Sequence, residues 1–362
     1  MMELSIDARV DYVAQFRSET KLEIPTITAA RANALLVQDK LRKALHGEGG
    51  DADVVAFGSL ARLEWTSGSD IDWTLLVDGI ADAENRASSR RIAGSIAKAG
   101  YPPPGSEGIF GNMAFSHELV HHIGGQADSN RNTTQRILLL LEAVPLTTNL
   151  DDIGAYERTV RQILRRYLLS DSNFHSASDR NSRIPRFLLN DIVRYWRTMC
   201  VDFAYKDWEQ AGKKWAIRNI KLRTSRKLLF VAGLMMVFSC YKNRLLSRMQ
   251  DEDAVDYFFR LQDHLLDFVH STPMNVLVCT LNSIKLDVEC KEFLLLYEQF
   301  LYELDDAEVR KHLDKLKEEE VYQDPVFLRC RALSHKIQAI LRRVFFETES
   351  PLREFTFEYG VF

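Results

Sequence analysis

The sequence lacks the features that define several common protein classes. Its 5 cysteines are widely spaced with no C-x-x-C pair, which excludes a disulfide scaffold and favours reduced thiols. Its 9 prolines and 17 glycines are too few for a collagen-like or low-complexity chain. The longest apolar run, residues 228–241, is shorter than the roughly 20 residues that span a bilayer, so we expect a buried helix and no membrane partner. Residues 1–17 contain no apolar leader, and we expect a cytoplasmic protein.

What the chain does have is length and an uneven distribution of charge. Its 362 residues predict two or three domains. The net charge is only −4, but residues 151–250 carry 20 Lys and Arg against 9 Asp and Glu, so a basic middle lies between acidic ends. This balance favours a surface that meets phosphate, although solvated basic helix faces explain it equally well. We expect divisions at 1–150, 151–250 and 251–362.

Hydrophobic spacing predicts an α+β fold, in which a small α/β unit with a mixed sheet precedes a large helical region. The apolar run 54–57, the β-branched and aromatic segment 71–77 and residues 112–123 are predicted to form three strands. Around them, and throughout the rest of the chain, the spacing is helical. The predicted helices cover residues 4–20, 27–46, 82–98, 133–143, 155–169, 185–208, 214–244, 254–270, 290–304 and 325–346.

The most informative segment is residues 57–73, FGSLARLEWTSGSDIDW. Alternate side chains of a strand point to one face, so Asp70 and Asp72 are expected to project together. Two neighbouring carboxylates raise each other's pKa unless a cation lies between them, and Mg²⁺ is bound in this way beside substrate phosphates. Gly58 and Ser59 follow the first strand and offer amides and a hydroxyl that can hold a phosphate. The combination indicates phosphoryl or nucleotidyl transfer.

The same segment resembles the polymerase-β-like nucleotidyltransferase superfamily. Its GSLAR followed by SDID is similar to the variant found in minimal and protein-modifying nucleotidyltransferases. Two positions depart from that variant, which usually has Gly at the position of Leu63 and Leu or Val at that of Trp73. Neither is a metal-ligand position, so the departures concern the shape of the loop. The resemblance covers residues 52–79 closely and extends loosely to 145.

The resemblance implies an enzyme that uses Mg²⁺ (or Mn²⁺) to transfer a nucleoside monophosphate, most simply AMP from ATP, to an acceptor hydroxyl. Pyrophosphate is released in this reaction. Asp70 and Asp72 would hold the metal and act as catalytic residues. The nucleoside triphosphate would be bound by Gly58, Ser59, Arg62 and Ser69.

The resemblance also gives the basic middle a role. Enzymes of this superfamily often pair the catalytic unit with a helical bundle whose basic residues hold the triphosphate, and Arg218 and Lys221 fall on one stripe of the predicted helix 214–244. A solvated helix face explains this stripe equally well. By the same resemblance, 1–150 is the catalytic domain, 151–250 completes the cleft, and 251–362 is an acidic helical region. This much helical chain favours a macromolecular acceptor, protein or RNA.

Such enzymes usually take a third carboxylate from a later strand, and two residues compete for that role here. Glu118 lies in the middle of the predicted strand 112–123, where a buried acid is costly unless it joins the metal site. Asp128 is more easily explained as part of the cap of the next helix. We therefore expect Glu118 to be the third metal-binding and catalytic acid.

Two other functions are compatible with the sequence. A regulatory module of the same fold would bind nucleotide without turnover. Residues 117–121, HELVH, also match the H-E-x-x-H motif of zinc proteases. In the predicted strand His117 and His121 would lie about 13 Å apart, too far for one zinc ion.

Overall fold

The computed structural model describes residues 3–49, 51–80, 82–101, 110–147, 153–170, 184–209, 214–249 and 252–360. Its single sheet has the strand order β3-β2-β1-β4. The strands are β1 (Ala52–Ala56), β2 (Trp73–Val77), β3 (Met113–Phe115) and β4 (Val144–Pro145). β1 runs antiparallel to β2 and β4, while β2 and β3 are parallel, so the sheet is mixed.

Helices account for most of the remaining described residues. The helices interspersed with the strands are α1 (Tyr12–Thr20), α2 (Pro25–Ala44), α3 (Gly58–Ala61), α4 (Glu84–Lys98), α5 (Ser116–His121) and α6 (Asn130–Leu141). The later helices are α7 (Ala155–Ser170), α8 (Arg186–Glu209), α9 (Trp215–Arg223), α10 (Ser225–Phe238), α11 (Ala254–Val269), α12 (Pro273–Ser283), α13 (Asp287–Asp305), α14 (Ala307–Lys315), α15 (Pro325–Arg342) and α16 (Pro351–Phe355). The prediction of a small α/β unit followed by a large helical region is confirmed.

The sheet is covered on both faces, which explains why its two central strands are buried throughout. Val54 and Leu75 point into a smaller core that they share with α2 and α4. Val55 and Leu76, one residue further along each strand, point into the larger core of the helical region. Because side chains alternate along a strand, each strand contributes to both cores.

Helix α2 is held at its beginning by a residue far away in the sequence. Its N-cap residue, Ile24, has no side chain able to accept a hydrogen bond. Glu298 of α13 takes over this role, because its two carboxylate oxygens accept hydrogen bonds from the amides of Thr26 and Ile27, each at 2.8 Å. A carboxylate at this position also interacts favourably with the helix dipole. The contact fixes α13 to the beginning of α2.

The prediction of one strand over residues 112–123 is wrong. The strand β3 contains only three of these residues, and the chain turns into α5 at Ser116. In α5 the neighbouring Leu119 and Val120 are both buried, whereas His117 and Glu118 are exposed. Two adjacent buried residues suit one face of a helix rather than the alternation of a strand.

The predicted helix 214–244 is also interrupted. It consists of α9 and α10, which are separated at Thr224, where φ is −121° and ψ is −91°. The Thr224 hydroxyl donates to the carbonyl of Ile220 at 2.7 Å. Short elements escaped the sequence analysis as well, namely the two-residue β4 and the helices α12 and α14.

The longest apolar run behaves as predicted in one respect, since most of it belongs to the buried helix α10. Within the described ranges, no helix has both the length and the apolar character needed to cross a bilayer. The predicted division points near 150 and 250 fall outside the described residues, and the three-part division of the chain stays a prediction.

One buried histidine makes the helical core sensitive to acid. His264 of α11 is 8% exposed, and its Nε2 lies 2.8 Å from the hydroxyl of Ser239. That hydroxyl donates its own proton to the carbonyl of Met236, so it accepts from Nε2–H of a neutral imidazole. Burial lowers the pKa of His264 to about 4, from an ordinary value of 6.5.

We predict that replacing His264 flattens the acid side of the stability profile. In the unfolded chain the imidazole takes up its proton near pH 6.5, whereas in the folded protein it does so only near pH 4, so folding loses free energy as the pH falls between these values. The loss reaches on the order of 3 kcal/mol. Denaturant unfolding of the wild type and of His264→Gln from pH 7 to pH 4.5 measures it, with the wild type losing stability relative to the variant. Parallel profiles would contradict the prediction.

Candidate active site

The Gly-Ser bend and the aspartates meet at one end of the β1–β2 pair. The amide of Phe57 donates to the carbonyl of Asp72 at 2.8 Å, which continues the strand pairing by one step. Gly58 follows with φ of +68°, a backbone conformation that favours glycine. A Cβ at Gly58 would also lie 3.0 Å from Oδ2 of Asp72. The bend therefore lies directly against the Asp72 carboxylate.

Residues 62–72, which we call the acid loop, connect α3 to β2 and carry both aspartates. Ile71 is fully buried, whereas Asp70 and Asp72 both line a cleft. Burial, with the neighbouring carboxylates of Asp70 and Glu142, raises the pKa of Asp72 to about 7. Two carboxylates that disfavour each other's charge form a donor set that suits a hard divalent cation, which keeps further positions for substrate phosphate.

The cleft has a volume of about 480 Å³ and lies between the sheet edge and the helical region. It is lined by Gly58, Ser59, Arg62, Glu64, Thr66, Ser69, Asp70, Asp72, Phe110, Thr134, Leu138, Glu142, Tyr195, Met199, Asp202, Phe203, Tyr205, Arg218, Lys221, Ser225, Arg226, Phe300, Leu301, Leu304 and Arg310. Every residue that the sequence predicts for nucleotide binding is among them. The volume is within the range typical of small-molecule and cofactor sites.

The wall opposite the acid loop is basic. Lys221 at the end of α9 and Arg226 at the start of α10 both line the cleft, and both partly offset the rise in the pKa of Asp72. Burial, together with the nearby Arg310 and Arg226, lowers the pKa of Lys221 to about 8, while Asp70 opposes this effect. Arg226 was not among the predicted phosphate ligands, because the spacing predicts one continuous helix over 214–244, whereas the break at Thr224 changes which side chains face the cleft.

Arg62 belongs to a buried network of charges in the cleft wall. Its Nε donates to Oε2 of Glu64 at 2.9 Å, and its Nη1 donates to a carboxylate oxygen of Glu142. The hydroxyl of Tyr297 on α13 donates to the other oxygen of Glu64 at 2.8 Å. Although burial opposes its charge, these two carboxylates raise the pKa of Arg62 well above its usual range. Its guanidinium is therefore engaged by protein carboxylates.

The two acids that the sequence nominated as the third carboxylate lie elsewhere in the described structure. Glu118 is exposed on α5. Asp128 is buried and forms ion pairs with Arg136 at 2.9 Å and with Arg194 at 3.3 Å. The expected place of Glu118 rested on the strand prediction that the helix α5 overturns, and Asp128 has a role in packing.

Glu142 instead brings an acid to the aspartates from a later part of the chain. It is the C-cap of α6, directly before β4, and it is 8% exposed. An acid at the negative end of a helix dipole, after ten buried residues, is unfavourable unless cations compensate it. The burial that creates this conflict is visible only in the structure, so the sequence alone did not indicate Glu142.

The H-E-x-x-H motif does lie on a helix, contrary to the expectation from the sequence. The rings of His117 and His121 are 4.8 Å apart, and the ring of His122 is 5.9 Å from that of His117. A zinc protease needs a third protein ligand. In the part of the chain that the structure describes, no three His, Cys, Asp or Glu side chains form a group able to hold a metal.

Comparison with protein families agrees with this geometry. Residues 38–96 match the family model described as a nucleotidyltransferase domain. The match runs from the second half of α2 into α4 and includes Gly58, Ser59, Asp70 and Asp72. The chain therefore contains a nucleotidyltransferase domain, and its resemblance to the polymerase-β-like superfamily is confirmed. The domain supports a transferase activity of the nucleotidyl-transfer type. No curated protein and no solved structure matches the chain.

We predict that the Tyr297 hydroxyl stabilises the charge network of the cleft wall. In Tyr297→Phe the carboxylate of Glu64 loses a buried hydrogen bond, so the free energy of unfolding should fall by about 1–3 kcal/mol. Tyr302→Phe is the control, because Tyr302 lies on the same helix and is 66% exposed. Denaturant titrations of both variants measure the difference. Equal losses would show that the Tyr297 hydroxyl contributes nothing of its own.

Proposed function

We propose that the protein is a nucleotidyltransferase that depends on Mg²⁺ or Mn²⁺ and transfers a nucleoside monophosphate to an acceptor hydroxyl. One observation carries this proposal: the Gly58 bend lies against the Asp72 carboxylate, and a basic wall faces them across the cleft. This arrangement offers metal ligands on one side and phosphate ligands on both.

Each wall has a distinct task in this proposal. Asp70 and Asp72 would hold the cation, which when bound draws the phosphate oxygens together and increases the electrophilicity of the α-phosphorus. Ser59 and the amides of the bend hold the polyphosphate. Lys221 and Arg226 neutralise it from the opposite wall.

The reaction exchanges a phosphoanhydride bond for a phosphoester bond. The acceptor oxygen forms a bond to the α-phosphorus, and the bond from that phosphorus to the oxygen bridging the β-phosphate breaks. Pyrophosphate leaves with the bonding electrons, and the acceptor hydroxyl gives up its proton. The positive charges of Lys221 and Arg226 stabilise the departing pyrophosphate, which is the main electrostatic contribution available to this chain.

Glu142 is the residue we propose to receive that proton or to orient its acceptor, in place of Glu118. It lines the cleft, and its charge already contributes to the raised pKa of Asp72. Its ion pair with Arg62 holds the carboxylate at the cleft wall. Geometry must place a base before its pKa matters, and among the acids considered Glu142 meets that condition.

We propose ATP as the nucleotide and a macromolecule, protein or RNA, as the acceptor. The support is the large helical region, because a small acceptor rarely requires so much additional chain. Phe203 and Tyr205 of α8 contribute an aromatic part of the cleft. Aromatic faces of this kind can stack on a base of the nucleotide or of an RNA acceptor.

A second candidate function is the binding of nucleotide without transfer. The observation that favours it is the ion pair between Glu142 and Arg62, since a base held in this way is less available to a proton. Metal-dependent binding of ATP with no pyrophosphate release in the presence of any acceptor would identify this function.

We predict that nucleotidyl transfer requires both aspartates. With α-labelled nucleotides, Mg²⁺ and cell extract as the source of acceptors, the wild type should transfer label and release pyrophosphate. Asp70→Asn/Asp72→Asn should reduce transfer to background, because amides do not replace carboxylates as ligands of a divalent cation. The exposed Glu84→Gln on α4 serves as the matched control and should remain active. Transfer that survives the double substitution would exclude the proposed metal ligands.

We also predict that substitutions of Glu142 and Glu118, the two candidates for the third acid, have different effects on the transfer rate in the same assay. Glu142→Gln should lower the rate of transfer by roughly a hundred- to ten-thousandfold, as loss of a general base does. Glu118→Gln should leave the rate unchanged, because Glu118 is exposed on α5. The reverse result would restore the acid that the sequence predicted.

A further inference from the structure

The acid loop contacts α13 and the start of α14, two helices that we call the C-terminal helices. The amide of Ser67 donates to Oδ1 of Asp305 at 2.8 Å, and the Ser67 hydroxyl donates to the carbonyl of Asp305 at 2.9 Å. Asp305 is the last residue of α13 and lies two positions before the start of α14. The first turn of α14 is therefore held against the loop that carries both aspartates.

From this turn Arg310 extends onto Gly68 of the acid loop. A Cβ at Gly68 would lie 2.5 Å from both Cδ and Nε of Arg310, a distance that no real side chain tolerates. The backbone of Gly68 is not in the left-handed region, so what glycine contributes here is space, and a Cβ would displace the flexible end of Arg310. The Arg310 side chain therefore extends in the direction of the acid loop.

That direction is toward the cleft, although acids are available nearby. Asp306, Glu308 and Asp314 all belong to the same stretch of chain, yet in the described structure Arg310 has no ion pair with any of them. It lines the cleft instead, and after burial it is the largest cause of the lowered pKa of Lys221. Arg310 and Lys221 are therefore close neighbours of like charge.

The cleft is thus lined by cations from three helices: Arg218 and Lys221 of α9, Arg226 of α10 and Arg310 of α14. Clustered like charges are unfavourable until an anion compensates them. A guanidinium presents several donors in a planar fork, which matches the oxygens of a phosphate chain better than it matches a nucleoside.

Building on the function proposed above, we propose that Arg310 is a phosphate-binding residue, through which the C-terminal helices bind the polyphosphate of the nucleotide. The acid loop would then have two roles: Asp70 and Asp72 would hold the metal, and Gly68 would leave space for the side chain of Arg310. Nucleotide binding would tie α14 to the catalytic unit through the phosphates.

The test measures the thermal stability of the full chain with and without Mg²⁺–tripolyphosphate, a probe that has no base or ribose, and with Mg²⁺–ATP. Both ligands should raise the unfolding temperature of the wild type. In Arg310→Gln the affinity for both, obtained from the dependence of the shift on ligand concentration, should fall roughly ten- to a hundredfold. Without ligand the variant should unfold at the same or a higher temperature, because a repulsion has been removed.

Three further variants make the result specific. Lys311→Gln removes a positive charge from the next, exposed position of α14 and should bind as the wild type does. Arg310→Lys should recover part of the lost affinity. Gly68→Ala should weaken tripolyphosphate binding by displacing Arg310 while leaving its charge in place.

The outcomes distinguish this proposal from the function on which it rests. Unchanged affinity in Arg310→Gln, or a loss equal to that of Lys311→Gln, overturns the role of Arg310 alone. A lower unfolding temperature of ligand-free Arg310→Gln with undiminished ligand shifts shows a structural role and also overturns it. If neither ATP nor tripolyphosphate stabilises the wild type, both the nucleotide site and the role of Arg310 are overturned.

Discussion

The buried charge of Arg62 is the constraint on which the cleft depends. An arginine inside a protein must be compensated, and its partners here come from different parts of the chain: Glu64 from the acid loop and Glu142 from the end of α6. Tyr297 of α13 completes the hydrogen bonding of Glu64. Because one guanidinium must satisfy these groups together, it fixes the acid loop, the sheet edge and the C-terminal helices relative to one another.

The cleft is therefore assembled from more of the chain than the segment that matches a known domain. Residues 38–96 supply the Gly-Ser bend and the two aspartates. The basic wall comes from α9 and α10, and the final side is closed by α13 and α14. Carboxylates on one wall and cations on the other create the charge separation that suits a metal–polyphosphate ligand, and neither wall would suffice alone.

The site residues that could be predicted lie close together in the sequence, whereas those that could not are brought to the cleft from distant segments. Gly58 and Asp72 were predictable because their pattern lies within one strand–loop–strand unit. Glu142 and Arg310 were not, because only the tertiary fold brings them to the cleft. The choice of Glu118 rested on a predicted strand where the structure has the helix α5. The order of the longer elements followed from the periodicity of their hydrophobic residues. Short elements such as α14 contain too few residues to show this periodicity.

The contact of Glu298 with the beginning of α2 has a consequence for biosynthesis. The amides of the first turn of α2 donate to a carboxylate of α13 more than 250 residues downstream. The acid loop is hydrogen-bonded to the same distant helix. Domains generally fold from the N-terminus as the ribosome releases them. In this protein a nascent chain has the Gly-Ser bend and both aspartates long before it has a finished cleft, which is complete only after α13 and α14 have been synthesised.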